Sequence, residues 1–361
     1  MIRVLFHDAF LIVIEKPAGL LSVPGAASIH APAASNQLLS QLTKLHADTF
    51  PAAFTHARGT VETHFPRNAA SHVVHRLDAA TSGLMIFPRS RAAMGQLARG
   101  FAQGRIGKVY EALVDARSAG FGSGSGAESR SARTLLGAAV FDDPSPHPHV
   151  INLPLGKRAG VPLLHTSDQS LCAVPLRQSS SSFKILSNGC GGAIRVEFYP
   201  STGRTHQLRL HAAEGLGAPI IGDALYGTGC GEESWASVSL VPRAAAKCAA
   251  GLIVPPELVT AIEEARARER TAALHPPATL LPGGPPLQQR LHLHARELIV
   301  PDEKNERWGT GKRCESNAWE LDVPAAAVLA AAITTPGFAV LPELCHRTGA
   351  RRVRFVLQCP F

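Results

Sequence analysis

The residues best suited to chemistry lie in two stretches far apart in the 361-residue chain. The first runs His75-Arg76-Leu77-Asp78-Ala79-Ala80-Thr81-Ser82-Gly83-Leu84. It sets an acid near a base, then a small, tight Thr-Ser-Gly turn, then the apolar run Leu84 to Phe87. A lone Asp between buried-type residues is either a turn cap, the commoner role of Asp at turns, or a functional carboxylate. The residues alone leave both readings open. A carboxylate walled in by apolar side chains stays ionised only if a cation compensates it. The second stretch, Gly203-Arg204-Thr205-His206-Gln207-Leu208-Arg209-Leu210-His211, is rich in such cationic groups.

Composition narrows the classes. The chain is 45% apolar and 18% charged, which suits a soluble globular protein of one large α/β domain or two smaller ones. Lys+Arg number 36 against 28 Asp+Glu, a formal net charge of +8, and most of the bases are Arg. That balance tilts slightly toward a polyanionic partner, because guanidinium pairs bidentately with phosphate. The seven Cys form no C-x-x-C and are odd in number, so they read as reduced structural thiols. The N-terminus has no signal-peptide pattern, and no apolar run is long enough to span a bilayer. The expected location is intracellular, in the cytoplasm or an organelle.

Several elements can be placed around the two stretches. Ile2 to Ile14 reads as a pair of strands. Glu15 to Gly25 reads as a fixed Pro/Gly loop in which Lys16 is either a phosphate contact or a solvated lysine. Gln37 to Leu45 has helical spacing. Leu84 to Phe87 is a strand, and a helix runs from Ser90 to about Gln103, ended by Gly104. Ile106 to Val114 alternates, which sets Lys108, Tyr110, Ala112 and Val114 on one face. Leu171 to Ile185 is expected to hold a strand disturbed by Pro175, which cannot donate to a ladder. Ala193 to Tyr199 is a strand, Thr205 to Glu214 a helix, and Pro255 to Leu274 a charged helix. Pro324 to Ile333 reads as an Ala-rich helix, and Ala350 to Phe361 as a basic, strand-like end.

The two chemical stretches together resemble the signature of the RluA-type pseudouridine synthases, HRLD-x-x-TSG followed by GRTHQ-x-R-x-H. Other segments fit in family order: Lys16-Pro17-Ala18-Gly19-Leu20, with Glu15 in place of the usual Asn; Lys108 to Val114; Gly217 to Gly227; and Arg290 to Ala295. The resemblance covers about 3–25, 73–115, 150–228 and 290–300. It implies an α/β (α+β) catalytic fold with a mixed, largely antiparallel sheet, flanking helices and a central cleft. The domain would span 1–300, with insertions near 26–71, 116–149 and 229–289. Residues 301–361 would complete or flank it, and no S4-like domain would precede it.

The implied reaction isomerises a specific uridine of ribosomal or transfer RNA to pseudouridine. The base is cut from the sugar, turns, and rejoins through carbon. Atoms are conserved, so the resemblance implies no cofactor and no metal, and the chain carries no phosphate-loop or dinucleotide fingerprint. Residue by residue it implies Asp78 as nucleophile, Arg204 as its cationic partner, and Tyr110 stacked under the target base. Arg76 would fill the gap left by the flipped-out nucleotide. Lys108, His206, Arg209 and Leu293 would line the RNA side or wall the pocket. His206 and His211, five apart, share a helical face poorly and read as packing or RNA-contacting rather than metal-ligating. The expected partner is RNA, without a membrane or nucleotide cofactor, and the expected state is a monomer. The alternative is an RNA-binding protein on the same scaffold that has lost catalysis. A carboxylate-pair glycoside hydrolase is a second rival, but no paired-carboxylate motif stands out.

Overall fold

The computed structural model describes residues 3–7, 11–22, 73–88, 91–115, 149–159, 164–188, 193–227, 256–271, 291–301, 337–344 and 351–360. The helices expected over 37–45 and 324–333 lie outside these residues. The chain divides into two compact units, Met1–Lys108 with Ala295–Gln358, and Val109–His294 with Cys359–Phe361.

In the first unit, β1 (Arg3–His7) and β2 (Leu11–Lys16) form the expected antiparallel pair, and β2 pairs with β3 (Ser82–Pro88). β10 (Leu293–Pro301) follows β3 in the sheet order, β12 (Arg351–Leu357) pairs with β10, and β11 (Phe338–Leu344) pairs with β12. β3 is buried throughout, as a continuous apolar run between two neighbouring strands should be. Helix α1 (Arg91–Ala102) buries Ala93 and Leu97 in a core shared with Val13, Leu84, Ile86, Leu298, Val340 and Phe355. Gly104, at φ 65°, ends the helix in the left-handed region.

Gly83 has a geometric reason to be glycine. Its φ is 120°, and a Cβ there would sit 2.3 Å from the Ala295 carbonyl oxygen. The residue therefore lets β3 and β10 approach closely.

In the second unit the sheet order is β4 (Gly107–Asp115), β9 (Ala193–Pro200), β8 (Ser180–Asn188), β5 (His149–Asn152), with antiparallel pairings. A small hairpin, β6 (Gly156–Lys157) with β7 (His165–Thr166), stands apart from it. The strand expected from Leu171 begins only at Ser180. Before it come a short 3₁₀ turn, Gln169–Leu171, capped by Asp168, and an irregular segment containing Pro175. The missing Pro N–H and the Asp168 cap both favour a turn over a ladder here. The helix expected over 205–214 is a short α-turn, α2 (Gln207–Leu210), which widens into a π-turn, His211–Gly215. Helix α3 (Pro256–Thr271) lays Ile262 and Ala265 against Leu164, Ala224 and Leu225.

Candidate active site

Asp78 sits half-buried on a turn that its own main chain closes, Thr81 N–H donating to the Asp78 carbonyl at 3.1 Å. Three groups hold this turn from one side. Lys16, at the end of β2, is wholly buried; its ammonium donates to the carbonyls of Pro17 (2.9 Å), Leu20 (2.7 Å) and Ala79 (3.0 Å). Gly19 N–H donates to the same Ala79 carbonyl at 2.7 Å. Ser22 Oγ donates to the Leu77 carbonyl at 2.7 Å and accepts from Leu77 N–H at 3.1 Å. The Pro/Gly loop after β2 is thus a brace for the residues on both sides of Asp78. Lys16 is neither solvated nor a phosphate contact. Its charge is dispersed over main-chain oxygens, which is how a buried ammonium avoids the penalty of isolation.

His75 secures the other end of the stretch. Its Nε2 accepts from Ile86 N–H at 2.9 Å, and its ring stacks on Phe101 with centroids 4.5 Å apart. Burial, helped by the Lys108 charge, lowers its pKa to about 3, so the ring is neutral and remains an acceptor. Arg76, between His75 and Leu77, is exposed and available to a ligand. Lys108 is half-buried, and burial lowers its pKa below the usual lysine value.

In the second unit, Tyr110 is half-buried on β4 opposite Phe198. Arg204 is exposed, with its Nε donating to the Gln178 carbonyl at 3.3 Å. Its loop is shaped by Gln207, whose Oε1 accepts from Thr202 Oγ1 (2.7 Å) and Arg204 N–H (3.0 Å). The Gln207 Nε2 donates to the Ser180 carbonyl (3.0 Å) and Ser181 Oγ (2.8 Å). One buried amide therefore ties the arginine loop to β8.

Of the residues expected to line the RNA side or wall the pocket, Arg209 and Leu293 are buried and His206 is half-buried. Arg209 is 1% exposed and grips Asp223 bidentately, Nε to Oδ2 at 2.8 Å and Nη2 to Oδ1 at 2.6 Å, with its guanidinium 5.3 Å from the Tyr226 ring centroid. Burial alone would raise the Asp223 pKa, but the Arg209 charge and the hydrogen bonds outweigh it and hold the carboxyl below its ordinary value. Arg209 is thus the counter-ion of the aspartate in Gly222-Asp223, not a surface contact. His206 sits at φ 55° with Nδ1 2.7 Å from the Tyr226 hydroxyl and its ring edge-on to those of His165 and Tyr226. Burial first, then the Arg209 charge, lowers its pKa well below the usual value. Leu293 is buried beside His292, whose main chain bonds to Leu113 and Ile221.

Sequence reading missed the roles of Lys16, Ser22 and His75. The signal for Lys16 was its place between the apolar Leu11–Ile14 and a loop with two Pro and two Gly, a loop rich in carbonyls with few donors. Among the described residues no group of His, Cys, Asp and Glu could hold a metal ion, and no helix is long and apolar enough to cross a membrane.

The structure thus presents a half-buried carboxylate on a turn held by Lys16, Gly19 and Ser22, in an arginine-rich chain built largely on antiparallel strand pairs. The chain belongs to the RNA pseudouridylate synthase family, whose sequence profile matches residues 10–214. It is an RNA-modifying isomerase of the RluA type. It is 28% identical over 240 residues to the dual-specificity RNA pseudouridine synthase RluA of Salmonella typhi, covering 66% of this chain and 81% of that protein. It is 30% identical over 230 residues to an uncharacterized RNA pseudouridine synthase of Zymomonas mobilis, covering 63% and 78%. The human RNA pseudouridylate synthase domain containing 4 superposes with a TM-score of 0.43 at 20% identity, covering 82% of this chain and 83% of that one.

Proposed function

We propose that the protein converts a specific uridine of ribosomal or transfer RNA to pseudouridine with Asp78 as the nucleophile. The N1–C1′ bond breaks, the base turns while held in the site, and a C5–C1′ bond forms; the C5 proton leaves and N1 gains one. The Asp78 carboxylate bonds to C1′ of the nucleotide as the N1–C1′ bond breaks and is released again as the C5–C1′ bond forms, Arg204 supplies the compensating guanidinium, and Tyr110 supports the base. Arg76 stands in the stack for the extruded nucleotide, which must leave the helix to be reached.

The observation that carries this reading is the brace itself. Lys16, Gly19 and Ser22 converge on the backbone of Leu77 and Ala79, the two neighbours of Asp78. A turn cap needs no such support, whereas a nucleophile must be held to a fraction of an ångström. The dual specificity named for the Salmonella relative favours more than one RNA substrate.

Release of tritium from RNA labelled at uridine C5 tests the assignment. The wild-type protein releases it, which separates an enzyme from a scaffold that only binds RNA. Asp78→Asn lowers the rate by about three orders of magnitude or more at undiminished RNA affinity. Wild-type rates in Asp78→Asn would remove Asp78 from the chemistry.

A further inference from the structure

Outside the residues discussed so far, Arg158 is a buried cation with no ion pair among the described residues. Arg158 is 3% exposed, its Nη1 is sealed from solvent, and that atom has no hydrogen-bond partner. Its backbone is pinned, with N–H donating to the Leu164 carbonyl at 3.0 Å and a bridge to Cys172. No carboxylate among the described residues pairs with its guanidinium. Guanidinium does not deprotonate in proteins, so an uncompensated charge at this depth is strongly unfavourable unless a ligand answers it.

The same arginine lines a pocket with about 60 Å³ of space for water, bounded also by His165, Thr166, Glu214, Tyr226 and Gly227. That is room for about four waters, the scale of one tetrahedral oxyanion. The pocket is wired to the arginine loop. The Tyr226 hydroxyl accepts from His165 N–H at 3.2 Å and lies 2.7 Å from Nδ1 of His206, two residues after Arg204. Glu214 opposes an anion, but it is exposed and hydrogen-bonded to Ser167.

We propose that this pocket takes a phosphate oxyanion from the backbone of the RNA substrate, gripped by Arg158, and so sets substrate affinity rather than chemistry. The inference rests on the reading of the chain as an RNA-modifying enzyme. Guanidinium donates charge-assisted hydrogen bonds to phosphate oxygens, and a phosphate contact strengthens binding without reading sequence.

The test uses the full chain and inorganic phosphate as the probe, compared with chloride at matched ionic strength. Phosphate raises the melting temperature of the wild type and does not raise that of Arg158→Met. In steady-state assays Arg158→Met raises KM about tenfold on every substrate RNA with kcat retained, and the slope of log affinity against log salt falls by about one. Arg158→Lys, which keeps the charge without the fork, falls between. Glu214→Gln strengthens the phosphate effect. If Arg158→Met does not fold, the wild-type phosphate titration and Arg158→Lys still decide. Equal melting in phosphate and chloride overturns the proposal, since the pocket then holds only water. A phosphate effect with an unchanged RNA KM overturns it too, as the site then serves a free anion. Absence of any pseudouridine product would defeat the functional reading, while the melting comparison would still judge the pocket.

Discussion

Lys16→Met is the sharpest probe of how the site is held. Methionine keeps the volume and leaves no buried charge behind, so the change isolates the ammonium's three bonds to Pro17, Leu20 and Ala79. A hydrogen bond to a charged group contributes about 1.5–3 kcal/mol. The gain from sparing the wild type's ammonium desolvation cancels part of that sum. The Ala79 carbonyl also keeps its bond from Gly19 N–H, so two carbonyls rather than three are orphaned. The net loss of stability is about 2–4 kcal/mol, read as a lower denaturant midpoint with unchanged slope. With Asp78 as the proposed nucleophile, the loosened turn displaces its carboxylate from the reacting nucleotide. Tritium release should therefore show kcat down by about 10- to 100-fold, with KM for RNA little changed. A variant within about 0.5 kcal/mol of wild type with normal kcat would refute the brace, because Lys16 would then be a filler rather than a clamp.

Three further outcomes follow from the same geometry. Gly83→Ala places a Cβ 2.3 Å from the Ala295 carbonyl oxygen in a backbone region that side chains avoid, and should destabilise by about 3 kcal/mol or more, or prevent folding, as judged by circular dichroism and solubility. Arg209→Met strands the buried Asp223 carboxylate and should lower stability by about 3–5 kcal/mol in denaturant melts, with Arg209→Met/Asp223→Leu recovering much of the loss. The folded-state pKa of Asp223 is depressed, so the pair stabilises above the unfolded carboxyl pKa of about 3.9 and its contribution disappears as pH falls through the folded value. The His75 pKa is also lowered, to about 3, so its neutral ring stabilises above the unfolded value of 6.5. That contribution declines as the medium is acidified from about pH 6 toward 3. Stability–pH profiles of His75→Gln, which keeps an acceptor for Ile86 N–H without titrating, should be flatter over that window; a parallel profile would show that His75 does not govern the acid limb.

Much of the backbone was legible before any coordinates. Alternation placed β4 and β9, and the apolar spacing after Ser90 placed α1, because a two- or 3.6-residue period is written in neighbouring residues. The two motifs that carry the candidate site were legible for the same reason, since their residues are contiguous. The fates of the charges were not legible. Arg209 and Arg204 lie five apart in one motif, yet one is buried on Asp223 and the other is exposed. Lys16 reads as a loop lysine until Leu20 and, 63 residues away in sequence, Ala79 bring their carbonyls to it. The cost of burying a charge depends on which donors and acceptors the rest of the chain delivers, and local pattern carries no record of that delivery. Residue types and their order therefore settled the family, while tertiary structure alone decided which cations brace the fold, as Lys16 and Arg209 do, and which, like Arg76 and Arg204, face solvent.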